Sequence, residues 1–319
     1  MTMTLDKMAQ HNLYLLESGN FSDAEIVCKG EAWKVHSLIL RSRCIWFNKA
    51  FTNDCMGEQA GRIHLEAGQP EQITELLKFI YTGRYLPAVA PVEQCIAIPA
   101  LGGTVDLWCL ADSLGLSELK MEIQNYLLIR LSATLCFIHG FRLYTHEGSP
   151  ALRRDAGEQD DMTIFLDDFS KGVTRIYKDP APRALQKMFA VFACGLQERL
   201  PADVMWDLMK SNPKFQQDVS LVLISLHFPG PTNQRLASGL AQLCVAHARA
   251  EQGTDCRTFR CSGCNKSYGS DRDGGEASLT LDPFSRATRK WCDDCAFWSM
   301  NSTMKTMIRG WPVEDSDQS

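Results

Sequence analysis

Residues 22–85 have the sequence SDAEIVCKGEAWKVHSLILRSRCIWFNKAFTNDCMGEQAGRIHLEAGQPEQITELLKFIYTGRY, and this stretch decides the fold. Short runs at 25–29 and 32–35 predict two strands, and Lys29-Gly30 between them is typical of the tight turn of a hairpin. The apolar spacing across 38–51 fits two short helices better than a strand. The stretch therefore predicts a small sheet with helices beside it.

A third strand and a longer helix complete this stretch. Apolar and polar residues alternate from Arg62 to Glu66, as in a strand with one buried face. Pro70 suits the first position of a helix, and Gly83 suits its end. Between them, apolar residues recur at i, i+3, i+4 and i+7, namely at Ile73, Leu76, Leu77 and Ile80. Upstream, residues 5–17 predict an amphipathic N-terminal helix.

This order of elements resembles the first half of a BTB (POZ) domain, a family that binds partner proteins. Family members carry an Asp before the first strand, a Val-His before the next helix and a closing Tyr-Thr-Gly. Here these are Asp23, Val35-His36 and Tyr81-Thr82-Gly83. The resemblance implies an α+β domain over residues 1–130, with a short sheet covered by helices. We expect Asp23 and His36 to form hydrogen bonds inside the fold and to have no other role.

The chain after residue 85 predicts mainly helices. Residues 86–105 are rich in Pro, Gly and Ala and predict a loop with at most a short helix. The sequence LADSLGLSELK at 110–120 resembles the helix pair that completes the BTB core. Residues 131–250 predict an all-α extension, interrupted near 147–163 by a charged segment that we interpret as a flexible insertion.

The helical extension resembles a subgroup of BTB proteins found largely in filamentous fungi. Three motifs carry this resemblance: Ile176-Tyr177 before a Pro-containing turn, Arg183-Ala184-Leu185 at a helix start, and Pro213-Lys214-Phe215-Gln216-Gln217-Asp218. Helix breaks are predicted at the prolines of 179–182 and near Asn212-Pro213.

The composition limits the cellular setting and the class of function. A chain of 319 residues with 45% hydrophobic and 22% charged residues is typical of a globular protein with two or three domains. Its net charge of −5 argues against coating nucleic acid by bulk electrostatics. We find neither a signal-peptide core nor a run of about 18 apolar residues, and therefore predict a cytoplasmic and/or nuclear protein without membrane contact.

Two CxxC pairs near the C-terminus predict a metal site. Cys261 and Cys264 form the first pair, Cys292 and Cys295 form the second, and 27 residues separate the pairs. Four thiolates at such spacing bind a structural zinc ion and leave no open position for catalysis. We therefore predict a zinc-ribbon-like module over 251–311 and a disordered acidic tail over 312–319.

Other roles for these cysteines fit the sequence less well. Cys256 lies five residues before the first pair and is an alternative ligand. A redox dithiol is disfavoured because no thioredoxin-like βαβ pattern surrounds either pair. Nucleic-acid binding is also disfavoured, since residues 256–311 have a net charge of only +3 and show no groove-reading helix. Arg289-Lys290-Trp291 is the one stretch that suits phosphate contact and base stacking.

The sequence favours protein interaction over catalysis. It carries no Gly-rich phosphate loop, paired-carboxylate signature or serine-nucleophile elbow, so we predict that it is not an enzyme. Met56-Gly57-Glu58 resembles the motif with which adaptor BTB domains bind a cullin scaffold. By that resemblance, Met56 would enter an apolar groove on the cullin and Glu58 would hydrogen-bond to it. The BTB resemblance also implies a homodimer formed through the N-terminal helix and the first BTB elements.

An alternative function is that of a nuclear scaffold or transcription regulator, with the zinc module contacting protein or DNA. BTB domains of transcription factors often carry a basic residue directly after the His, but this chain has Ser37 there. It also has no tandem CxxC…HxxxH fingers. The adaptor role is therefore the preferred prediction, with an unidentified protein as its substrate.

Overall fold

The structure is a computed structural model that describes most of the chain. It describes residues 7–52, 61–85, 101–142, 157–178, 183–196, 202–227, 258–261, 263–264, 267–269, 278–282, 284 and 287–309. The chain divides into two compact units, and the boundary lies between Tyr126 and Leu127, close to the predicted domain end at 130. None of the described helices is both long and apolar enough to cross a membrane.

The first unit combines helices with a small three-stranded sheet. In chain order its elements are α1 (Lys7–Ser18), β1 (Ala24–Cys28), β2 (Glu31–Val35), α2 (Ser37–Arg43), α3 (Ile45–Thr52), β3 (Arg62–His64), α4 (Pro70–Thr82), α5 (Leu101–Ser113) and the beginning of α6 (Ser117–His139). Helix α5 begins at Leu101, so the last five residues of the predicted loop 86–105 are helical, which corrects that prediction.

The sheet confirms the predicted hairpin. Its strand order is β2-β1-β3, with β1 antiparallel to β2 and parallel to β3. Lys29 and Gly30 both have positive φ angles, 48° and 91°, as a two-residue type I′ turn requires. Ile26 and Ile63 are side by side on neighbouring strands and are almost fully buried. The alternation seen in the sequence therefore corresponds to one buried face of the sheet.

Helix α4 forms the centre of the first unit. Its N-cap Gln69 and Gln72 form a reciprocal capping box, Pro70 occupies the first turn, and Gly83 closes the helix in the left-handed conformation at φ 69°. The predicted apolar face, Ile73, Leu76, Leu77 and Ile80, is at most 1% exposed. Helix α1 packs against α4, and Asn12 Nδ2 donates to the Tyr81 carbonyl at 3.1 Å. The N-terminal helix therefore lies on its own domain.

The second unit is a helical bundle joined to short strands. It contains the remainder of α6, followed by β4 (Gly140–Arg142), α7 (Gly157–Lys178), α8 (Arg183–Leu196), α9 (Ala202–Ser211), α10 (Pro213–His227), β5 (Thr258–Arg260), β6 (Ser267–Gly269), β7 (Ser278–Asp282), β8 (Ala287–Trp291) and α11 (Asp293–Arg309). The helix breaks predicted at 179–182 and near Pro213 agree with the ends of α7, α8, α9 and α10.

Two predicted boundaries of this unit are corrected by the structure. Helix α7 begins at Gly157, so residues 157–163 of the predicted insertion are helical. Strand β4 pairs with β7 in the sheet β4-β7-β8, which joins the predicted extension (131–250) to the predicted zinc module (251–311). The described part of the cysteine-rich segment is therefore grouped with the helices of the second unit.

The three motifs of the helical extension meet at one buried polar cluster. Asp218 is 1% exposed, and its carboxylate accepts a hydrogen bond of 2.9 Å from Tyr177 Oη. The same carboxylate forms an ion pair with Arg183, whose Nη1 lies 2.7 Å away. Tyr177 also packs edge-on against Phe215, with ring centroids 5.3 Å apart. Burial, followed by the charge of Asp218, raises the pKa of Tyr177. The cluster fixes how α7, α8 and α10 are arranged, because a buried carboxylate must keep its partners.

Candidate metal centre and interaction surface

The four predicted ligands converge on one point in the second unit. The Sγ atoms of Cys261, Cys264, Cys292 and Cys295 all lie within 4.8 Å of one another. The Sγ of Cys292 is 3.8 Å from that of Cys261 and 3.9 Å from that of Cys264. These separations match the edge of a tetrahedron of sulfur atoms around zinc, which is about 3.8 Å for a Zn–S bond of about 2.3 Å. The cluster is therefore able to hold a metal ion.

Local backbone geometry places each pair of cysteines. Cys261 and Cys264 lie in the turn between β5 and β6. Cys292 directly follows β8, and Cys295 lies in the first turn of α11. The backbone N–H groups of Gly263 and Cys292 each donate to Cys261 Sγ at 3.3 Å. A strand end and a helix start thus supply one pair, and a hairpin turn supplies the other.

The hydrogen bonds at Cys261 favour its thiolate form. Burial raises the pKa of this thiol, but backbone N–H groups of Cys264, Cys292 and Gly263 lower it to about 6. Burial and hydrogen bonds with the other three sulfurs raise the pKa of Cys295 to about 12. One thiol of the cluster is thus readily ionised and another resists ionisation, as expected when like charges share a site. A cation at the centre would remove this conflict.

Packing around the sulfurs reveals a cysteine that the sequence did not single out. Trp291 and Ala296 form a buried cluster with Cys261 and Cys292, and Cys136 of α6 packs against it. No spacing rule connects Cys136 with the CxxC pairs, since it is brought there by the fold of α6. Cys256, the alternative ligand, lies outside the described residues.

Gly263 is required by the close approach of the two pairs. A Cβ atom at this position would lie 2.8 Å from Cys295 Sγ and 2.9 Å from Cys295 Cβ. Contacts below 3.0 Å force the surroundings to move, and here the neighbour is Cys295, one of the four predicted ligands. The sequence showed this glycine only as a spacer residue of the first CxxC pair.

The motif residues Asp23 and His36 form hydrogen bonds within one corner of the first unit. The Asp23 carboxylate accepts the Ser37 N–H at 2.7 Å and the Ser37 hydroxyl at 2.6 Å, and so caps the start of α2. His36 contacts the hydroxyl of Tyr81 at 2.8 Å through Nδ1 and the carbonyl of Asn20 at 2.8 Å through Nε2. Since a carbonyl only accepts, Nε2 carries the proton and Tyr81 donates to Nδ1.

These contacts confirm that Asp23 and His36 form internal hydrogen bonds. Burial raises the pKa of Asp23, but the bonds from Ser37 outweigh it and lower the pKa below its ordinary value. Burial raises the pKa of Tyr81 to about 12. The hydroxyl of Tyr81 also accepts a hydrogen bond of 2.7 Å from the backbone N–H of His36. The corner therefore joins β2, α2 and α4 into one rigid element.

The surface of the first unit exposes large apolar side chains. Five of them lie between α1 and α3: Met8, Tyr14, Phe21, Leu38 and Ile45, with exposed fractions of 73%, 58%, 91%, 77% and 74%. Met56 and Glu58, the predicted partner-binding residues, lie outside the described residues. The flanking elements are firmly placed, since Phe47 of α3 and Ile63 of β3 are 0% and 2% exposed.

Replacing Gly263 with alanine should weaken metal binding. In Gly263→Ala the new methyl group would displace Cys295, so we expect an affinity for cobalt(II) or zinc at least about tenfold lower, as for other disturbed ligand shells. Titration with cobalt(II), followed through its thiolate absorption bands and by competition with zinc, measures this. Gly102→Ala is the matched control, because no atom lies within 4 Å of its added Cβ. Equal affinity in Gly263→Ala and wild type would contradict the proposed coordination.

Comparison with known proteins finds a family match in the N-terminal part of the chain. The family model of the BTB/POZ domain matches residues 13–100. Among solved structures, the chain is similar to the BTB (Tramtrack and Bric a brac) domain of human gigaxonin, with 18% identity, 40% of this chain and 98% of that chain covered, and a TM-score of 0.26. Residues 13–100 are therefore assigned to the BTB/POZ domain family, whose domains are protein-interaction modules.

Proposed function

We propose that this chain is a dimeric BTB substrate adaptor for a cullin-type ubiquitin ligase and is not itself an enzyme. The observation that carries the proposal is the combination of a BTB/POZ domain with an exposed apolar surface. The polar residues of the BTB motif are occupied by bonds inside the fold, so they offer no free chemistry. What remains available to partners is the surface.

Dimer formation would bury the apolar side chains between α1 and α3. Phe21 is the most exposed of them at 91%, and it holds a left-handed φ of 62°, which is unusual for a residue other than glycine. Apolar surface left in water costs about 25 cal/mol per Å². A second copy that covers Leu38, Ile45 and Phe21 would recover that free energy. The proposal therefore places the homodimer contact on these exposed side chains.

The cullin would bind the segment that contains Met56 and Glu58. This segment connects α3, which ends at Thr52, to β3, which begins at Arg62. Both elements are anchored in the core by Phe47 and Ile63. Fixing the two ends of a binding segment lowers the entropic cost of ordering it on a partner. Met56 would supply the apolar contact and Glu58 the directional hydrogen bond.

Zinc is the metal that best suits the four-cysteine cluster. Four soft thiolates at tetrahedral separations select zinc over the hard cations that prefer oxygen. With all four positions taken by protein, the ion would be structural. We therefore assign it the role of holding the cysteine-rich segment in place, where this segment and the helices of the second unit would be available to an unidentified substrate protein.

The alternative role, a nuclear scaffold or transcription regulator, has less support. The position that is often basic in such BTB domains is Ser37, whose N–H and hydroxyl both bond to Asp23. The carboxylate that would line a corepressor pocket is therefore already occupied. A cytoplasmic and/or nuclear location remains part of the adaptor proposal.

Charge placed on the exposed face should break the dimer. Leu38→Arg and Ile45→Arg each put an unpaired cation where a partner would pack, so we expect the mass in solution to fall from that of a dimer to the 35.8 kDa of one chain. Light scattering after size exclusion measures the mass. Met121→Arg is the matched control, since Met121 is 57% exposed but lies on α6. A wild-type protein that is monomeric at high concentration would rule out the dimer.

Substitution of Met56 or Glu58 should abolish cullin binding. We expect Met56→Ala and Glu58→Lys each to weaken binding to a cullin N-terminal domain at least about tenfold, because both would remove a central contact of the interface. Isothermal titration calorimetry measures the affinity. Glu66→Lys carries the same charge change at an exposed site of the same unit and should bind like wild type. Undiminished binding by Glu58→Lys would refute the assignment of the motif.

A further inference from the structure

Helix α11 has one buried face and one face that the structure leaves open. Ala296, Met300, Asn301 and Met304 are at most 2% exposed and pack into the second unit. Asn301 Nδ2 donates to Ser132 Oγ of α6 at 3.2 Å. Cys295, in the first turn, belongs to the sulfur cluster. The helix is therefore held along its length, and its open face is a rigid platform.

The open face carries an aromatic residue followed by two cations. Four residues at i, i+4, i+7 and i+11 lie within about 60° of arc on a helix of 3.6 residues per turn, namely Trp298, Ser302, Lys305 and Arg309. Ser302 and Arg309 are exposed, and Lys305 is half-buried. We call these four residues the α11 stripe. Trp298 is 65% exposed, and its ring centroid lies 5.4 Å from that of Phe297 in an edge-on contact. Burial of such a ring is a typical anchor of protein recognition.

The two cations of the α11 stripe have no carboxylate partner among the described residues. Neither Lys305 nor Arg309 takes part in any of the ion pairs of the described chain. With a rise of about 1.5 Å per residue, they lie about 10 and 16 Å from Trp298 along the helix. The stripe thus offers an apolar contact at one end and two positive charges at the other.

We propose that the α11 stripe binds an acidic peptide segment of a partner protein. The segment would place an apolar side chain on Trp298 and carboxylates on Lys305 and Arg309. A polynucleotide fits less well, because the stripe has one exposed ring and two charges, whereas strand binding uses a longer basic groove with several stacking rings. The chain's net charge of −5 would also repel a polyphosphate more strongly than a short acidic peptide.

This proposal extends the adaptor function, because it names the chemistry of a protein that the second unit would bind. It rests on the interaction role proposed above. The site is distinct from the segment assigned to cullin. Trp298→Ala should therefore leave cullin affinity unchanged, and loss of cullin binding in Glu58→Lys should leave peptide binding unchanged. The failure of one proposal can thus be told from the failure of the other.

The test selects a phage-displayed library of random 12-residue peptides on the full-length, zinc-loaded protein. We expect enriched peptides with at least two Asp or Glu and an aromatic or aliphatic anchor. By fluorescence polarisation, Trp298→Ala and the double variant Lys305→Glu/Arg309→Glu should each bind the selected peptide at least about tenfold more weakly. Binding to wild type should also weaken as salt is added.

Matched controls exist within the same unit. Trp206 of α9 is 64% exposed, and Lys210 and Lys214 are exposed cations on α9 and α10. Trp206→Ala and Lys210→Glu/Lys214→Glu should change the affinity less than about twofold, as surface changes away from a binding site do. Circular dichroism and zinc content verify that every variant is folded.

Three results would overturn the proposal. The first is a selection that yields no enriched peptide or only neutral and basic ones. The second is binding that the Trp298 and Lys305/Arg309 variants do not weaken. The third is tighter binding of a 12-nucleotide single-stranded DNA that depends on these same residues, which would assign the stripe to nucleic acid.

Discussion

The convergence of four cysteine sulfurs is the constraint on which the second unit depends. The strands around it have three to five residues each, and strands this short have little stability of their own. Four thiols held within 4.8 Å would repel one another once ionised, so a cation among them would stabilise the arrangement. A metal ion bound there would join the β5–β6 turn to the start of α11, which lies about thirty residues further along the chain.

That constraint extends from the cysteines into the helices. Strand β4 comes directly after α6 and pairs with β7, and Gly195 of α8 gives room to Leu135 and to Phe284, whose atoms would lie 2.9 and 3.2 Å from an added Cβ. The cysteine-rich segment thus shares its packing with the helical bundle. Because α11 is packed against this bundle, its exposed side chains are held in fixed positions. Fixed positions favour recognition of a partner.

Sequence patterns predicted the first unit well because its signals are local. Periodicity marked the face of α4, and Lys29-Gly30 marked the hairpin. The convergence of the four cysteines was also predictable, since CxxC spacing is that of two thiolates that can bind one metal ion. Strand β4 was missed because three residues carry no period, and its partner β7 lies more than 130 residues away. Long-range packing also explains why the sequence pattern did not single out Cys136. It likewise explains why the pairing of β7, in the predicted module, with β4 of the helical extension was not predicted.

Hydrogen exchange of the full chain, with zinc bound and after chelation, tests most directly whether the metal centre holds this unit together. The account predicts that loss of zinc speeds exchange in β7, β8 and α11 and also in β4 and the end of α6, residues 131–142. Helix α4 of the first unit should keep its protection. Faster exchange confined to 258–309, with 131–142 unchanged, would contradict this prediction. It would indicate that the cysteine-rich segment is stabilised independently of the helices.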